Sequence, residues 1–285
     1  MRASGMKSRA GIWFVIVVAC LFLQPEGAWA DPILEVAIGG QTRHFGRNEL
    51  LRRPDVARVS IANDVSYGKA MDYLAVPLAA LLAGLNPPAN SVVESVALDG
   101  FVAQLPLDLV TNTDPIKPIA WLAVEPADPP WPKLPGKDTT AGPFYLVWAG
   151  ASVATIRSEQ WPYALKRLES QPSPVERWPA LYVDPALPAT DPIRAGLALY
   201  VTQCLPCHSL NGGGSGTMGP DMNQPMNPTR YMTRDGLHAL IRDPKSVRDW
   251  PTMQMPGFAA DRMSDREIEL IIDYLAHMAT RNKNP

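Results

Sequence analysis

The sequence predicts two modules of different class, an α+β module followed by an all-α one, and three observations carry that prediction. Short β-branched and aromatic runs are interleaved with isolated helical stretches from Ile33 to Trp148. Prolines, 30 in 285 residues, crowd into 115–143 and 172–192, which is connector composition. Beyond Pro192 the apolar spacing turns helical. Hydrophobic residues make up 46% of the chain and charged residues 19%, so a core can be buried, and a net charge of −2 gives no pointer to nucleic acid.

Taken in order, residues 1–30 read as a secretory leader. Arg2, Lys7 and Arg9 precede the apolar run Ile12–Leu23, and Ala28-Trp29-Ala30 offers a small-residue cleavage site. The run is short for a bilayer span, so no stable membrane span is expected after cleavage. Cys20, in Val17-Val18-Ala19-Cys20, loosely fits a lipidation site, but the apolar Leu21-Phe22-Leu23 after it favours ordinary cleavage after Ala30.

Residues 31–180 are expected to form the α+β module. Strands are predicted at Ile33–Ile38, ending in Gly39-Gly40, and at Val56–Ala62, Val92–Leu98, Ile119–Val124 and Phe144–Trp148. A buried helix is predicted over Val76–Leu85, stopped by Pro87-Pro88, with shorter helices at Asn48–Arg53 and Trp161–Glu169. No acid–base constellation stands out: His44 reads as a surface side chain, and Asp64, Asp72, Asp99 and Asp108 as solvated or turn residues. Residues 181–191 read as a proline-rich linker, and 192–285 as the helical module. There Asp191 is the N-cap and Pro192 the first-turn proline of a helix that runs into Cys204-Leu205-Pro206-Cys207-His208.

C-x-x-C-H is the attachment signal for c-type haem: two thiols one helical turn apart can add to the two vinyl groups, and the following imidazole can bind the iron. A redox dithiol would sit in a βαβ context, and a zinc site would need further Cys or His nearby. One covalent haem on Cys204 and Cys207, with His208 as axial ligand, is therefore expected. Cys20 leaves with the leader, so no thiol remains for a disulfide. Export and haem attachment together point to the periplasm.

From Gly196 onward the pattern resembles the class I cytochrome c family. Gly196, Tyr200, Cys204, Cys207 and His208 fall at that family's spacings, and Ser264–Ala279 reads as the crossing helix, with a Ser264/Glu267 capping box and an Ile268, Ile271, Ile272, Leu275 stripe. The resemblance implies that Pro220, in Met218-Gly219-Pro220-Asp221, lends its carbonyl to the axial imidazole. It also implies that Met255, before Pro256, is the second axial ligand, with Met253 as runner-up. His238 and His277 read as surface residues.

About half the chain, carried by Val76-Pro77-Leu78 leading into Leu81-Leu82 and by Asp99-Gly100-Phe101 followed by Pro106-Leu107, resembles the molybdopterin domain of the sulfite oxidase family. That family binds molybdenum through a cysteine just after the strand matching Val56–Ala62, where this chain has Asn63-Asp64. The resemblance therefore implies a degenerate scaffold with no molybdopterin, acting as a docking module. The expected function is single-electron transfer between a periplasmic redox partner, such as a dehydrogenase, and the respiratory chain. The alternative is an oxidoreductase subunit whose N-terminal domain oxidises a small substrate and passes electrons to the haem.

Overall fold

In the computed structural model, which describes residues 31–281, two sheets and two hydrophobic cores organise the chain. Residues 1–30, read above as a leader, and with them Cys20, lie outside the described residues. Among those residues, no helix is long and apolar enough to cross a membrane.

The N-terminal module opens with hairpin β1 (Ile33–Ile38) and β2 (Gln41–Gly46), followed by α1 (Arg47–Leu51), β3 (Ala57–Ile61), β4 (Met71–Pro77) and α2 (Leu78–Leu82). It continues through β5 (Val92–Ala97), β6 (Val102–Pro106), α3 (Leu107–Val110), β7 (Ile119–Val124), β8 (Phe144–Ala149) and β9 (Leu165–Gln171), then α4 (Pro174–Arg177). One sheet runs β2-β1-β9-β5-β6 and the other β3-β4-β7-β8. Only β1 and β9 pair in parallel; the other neighbours are antiparallel. The region is thus a mixed sheet module, as its alternating apolar runs predict.

Three expectations need correction here. Trp161–Glu169, predicted as a helix, contributes the central strand β9. Leu165 and Leu168 are both buried, an i, i+3 spacing that reads as helical. The register shifts between Val96 and Ala97, and the bulge adds the residue that lets both leucines face the core. The predicted helix Val76–Leu85 is shortened because Val76 and Pro77 finish β4, leaving only Leu78–Leu82 helical. Asp64 is buried rather than solvated. Its carboxylate accepts hydrogen bonds from the Ser66 and Tyr67 amides, both at 2.9 Å, from the Tyr73 hydroxyl at 2.8 Å and from the Tyr145 hydroxyl at 3.2 Å.

The C-terminal module is helical: α5 (Pro192–Gln203), α6 (Arg234–Arg242), α7 (Pro244–Val247) and α8 (Asp265–Ala279). Asp191 caps α5 by accepting from the Ile193 amide at 2.9 Å, and Ser264 with Glu267 forms the capping box of α8. The stretch read as a linker is packed: Leu181 and Val183 are fully buried in the helical core, and the Tyr274 hydroxyl donates to the Leu181 carbonyl at 2.7 Å. Proline content made this stretch look like a spacer, while its two apolar side chains anchor it.

The modules touch through specific bonds. The Val102 amide in β6 donates to the Pro206 carbonyl, inside the C-x-x-C-H peptide, at 3.0 Å. Arg157 bonds the Arg262 carbonyl at 3.3 Å and pairs with Glu267, so the capping residue of α8 also fastens the N-terminal module.

Helices α5 and α8 cross at Gly196, where a Cβ would overlap the Leu270 carbonyl oxygen and come within 2.8 Å of the Tyr274 Cβ. Alanine favours an open helix over glycine by about 1 kcal/mol. At this crossing the sign reverses: Gly196→Ala is expected to destabilise by roughly 1–3 kcal/mol through overpacking. Thermal or denaturant unfolding checks this, and an unchanged or raised midpoint would contradict the close crossing.

Candidate haem site

The attachment peptide continues the helical path of α5. The Cys204 amide donates to the Tyr200 carbonyl at 2.9 Å, Cys207 to Cys204 at 3.1 Å and His208 to Cys204 at 2.9 Å. These i→i−3 and i→i−4 bonds place both thiols and the imidazole on a single turn. Neither cysteine is disulfide-bonded, and both are half-buried. Burial, followed by the charge of Glu159, raises both thiol pKa values, that of Cys207 to about 12.

His208 Nδ1 lies 2.8 Å from the Pro220 carbonyl oxygen. A carbonyl can only accept, so Nδ1 carries the proton and Nε2 keeps its lone pair. Burial lowers the His208 pKa, against the opposing effects of the Pro220 hydrogen bond and Asp221, and so favours the neutral ring. Gly219 makes the approach possible, because a Cβ there would overlap the imidazole. A Cβ at Gly216 would likewise overlap the Pro206 carbonyl. The glycine-rich loop is held by Asp221, whose carboxylate accepts from the Asn211 amide at 3.1 Å, the Gly212 amide at 2.7 Å and the Ser209 hydroxyl at 3.1 Å.

Of the candidate methionines, Met255 is half-buried against the helical core, whereas Met253 is half-buried outside it. Met218 places its sulfur 3.9 Å from Cys207 Sγ. His277 accepts from the Asp184 amide at 3.1 Å through Nε2, and His238 lies 3.3 Å from Asp265. Each imidazole thus has a local partner.

A cavity of about 360 Å³ opens beside the attachment peptide, with Cys207, Met218, Pro256 and Phe258 on one side. The opposite side belongs to the N-terminal module and includes Phe101, Glu159, Trp161 and Tyr163. Sequence reasoning missed this second wall. Nothing in the local pattern of 158–163 marks it, because only the docking of β6 onto Pro206 brings it to the attachment peptide. Asn63, at the position where the sulfite oxidase resemblance places a metal-binding cysteine, is exposed and lines a different cavity.

The residues present fit a covalent haem: two thiols and an imidazole share one turn, the imidazole tautomer leaves Nε2 available, and glycines clear the ring's surroundings. No curated protein matches the chain. The cytochrome c family model matches residues 193–279, which span α5, the attachment peptide and α8. The C-terminal part of this chain is therefore a cytochrome c domain, and the chemistry it carries is haem-based electron transfer.

Proposed function

We propose that the protein is a periplasmic electron carrier holding one covalent haem, and that it passes single electrons between a redox partner, such as a dehydrogenase, and the respiratory chain. The observation that carries this reading is the bond between His208 Nδ1 and the Pro220 carbonyl, on the same turn as Cys204 and Cys207. Bound haem supplies a one-electron iron couple. Cys204 and Cys207 would hold it covalently, His208 through Nε2 and Met255 through its thioether would fill both axial positions, and Pro220 would fix the imidazole's tautomer.

With His208 and Met255 as the iron's protein ligands, no iron position would be left for substrate, which suits a carrier. The N-terminal module is then a docking scaffold. The leader reading of residues 1–30 supports the compartment. The alternative, an oxidoreductase subunit whose N-terminal domain oxidises a small substrate, draws on the sulfite oxidase resemblance. Asn63 in place of a thiolate makes it the weaker reading.

Two measurements test the assignment. Methionine ligation raises the reduction potential relative to histidine. Met255→Ala is expected to lower the midpoint potential and to let added imidazole bind the iron, while Met253→Ala leaves both properties as in the parent. The reverse pattern would transfer the ligand role to Met253.

Burial raises the Glu159 pKa to about 7, and its charge is felt at both cysteines. A raised carboxyl pKa keeps the group neutral below about 7 and ionised above it. The negative charge then favours the oxidised iron, so the potential should fall as pH rises through about 7, by at most ~59 mV per pH unit. Glu159→Gln should flatten that dependence. Redox titrations between pH 5.5 and 8.5 on the two proteins check this, and identical slopes would remove Glu159 from the haem's electrostatics.

A further inference from the structure

Residues 248–263 connect α7 to α8 without forming a helix or strand, and this loop carries Met253 and Met255. Among the described residues, no hydrogen bond ties 251–257 to another element, and the Met253 amide bonds only back to the Trp250 carbonyl, at 3.0 Å. The position of Met255 therefore depends on where the following residues are fastened.

They are fastened to the end of α6 by Arg242. Its guanidinium donates through Nη1 to the Phe258 carbonyl and, at 2.7 Å, to the Met263 carbonyl, and through Nη2 to Asp265 at 2.6 Å. The Arg242 side chain is 21% exposed and that of Asp265 77%, so the two carbonyls are the sheltered partners and Asp265 the solvent-facing one. The backbone closes in the same place. The Phe258 amide donates to the Ile241 carbonyl at 3.3 Å, and a Cβ at Gly257 would come within 2.8 Å of the Arg242 carbonyl oxygen. Phe258 and Met263 are both buried. The planar fork of an arginine suits this double grip on carbonyls five residues apart, which the point charge of a lysine cannot reproduce. A second arginine of α6, Arg234, pairs instead with Glu269 and with Asp273, the latter at 2.7 Å, both on α8 and away from the loop.

A ligand tethered to the protein competes with ligands from solution at an effective concentration set by how narrowly its tether confines it. We propose that Arg242 is a positioning residue for Met255: by stapling Phe258 and Met263 to α6, it holds the thioether at the iron against ligands from solution. The inference rests on the reading of Met255 as the axial ligand, and adds the group that keeps it there.

Spectrophotometric titration of the ferric, haem-loaded, full-length protein with imidazole tests it. Arg242→Gln should tighten the apparent imidazole affinity at least ~10-fold, because that affinity scales with the fraction of iron free of methionine. Arg242→Lys should fall between this variant and the parent. Arg234→Gln, which loosens the same helix without touching the loop, should leave the affinity at the parent value. In a Met255→Ala background, Arg242→Gln should add no further change. If Arg242→Gln fails to fold, Arg242→Lys decides, with an expected tightening of at least ~3-fold. Unaltered affinity in the folded Arg242 variants, while Met255→Ala tightens it, would overturn the positioning role and leave the ligand assignment standing. An equal effect of Arg234→Gln, or a further effect of Arg242→Gln once Met255 is gone, would overturn it as well. Unaltered affinity in Met255→Ala would instead overturn the ligand assignment, and the positioning role with it.

Discussion

The backbone approach at Gly196 is the constraint on which the rest of the haem module depends. Helix α5 must lie against α8 closely enough that the Leu270 carbonyl occupies the space where a side chain would project from residue 196. Tyr200 and Tyr274 then pack against each other across the same crossing, ring centroids 5.3 Å apart and planes inclined by 47°, and both are fully buried. With α5 fixed in this way, its C-terminus can deliver Cys204, Cys207 and His208 in one orientation only. The Tyr200 hydroxyl extends the constraint by donating to the Ser209 carbonyl, just past His208, at 3.1 Å.

The far end of α8 is tied to the same region by buried amides. Helix C-termini leave carbonyls without internal partners. Here the Asn227 side chain donates to Leu275 at 3.0 Å, Asn223 to Met278 at 2.9 Å and Arg230 to Ala279 at 2.8 Å. Asn223 also donates to the Asn211 side chain at 2.8 Å, joining the end of α8 to the glycine loop that carries Pro220. At the near end of α8, Glu267 caps the helix and receives Arg157 from the other module. One helix therefore anchors the attachment peptide, the imidazole's hydrogen-bond acceptor and the inter-module contact.

How much of this the sequence disclosed depended on whether the signal was local. The caps Asp191 and Ser264 are written within a few consecutive residues, and the structure places both as read. The strands β2, β4, β6 and β9 were not identified because their pairing partners, not their own composition, decide them. β9 sits between β1 and β5, and its bulge disguises the alternation that would mark a strand. Leu181 and Val183 were hidden among prolines. Glu159 and Trp161 reach the cavity beside the attachment peptide only because the Val102 amide docks on Pro206, a contact between residues more than 100 positions apart that no spacing rule encodes.

The N-terminal module forms one wall of the cavity beside the attachment peptide, and under the proposed function the two modules would act as one electron-transfer unit with a single haem. That claim is tested most directly by iron and molybdenum content per chain, with intact mass, on protein matured in a host that supplies both haem attachment and molybdopterin. The account predicts one iron, no molybdenum, and a mass raised by one haem that survives denaturation. Stoichiometric molybdenum, or iron lost on denaturation, would contradict it.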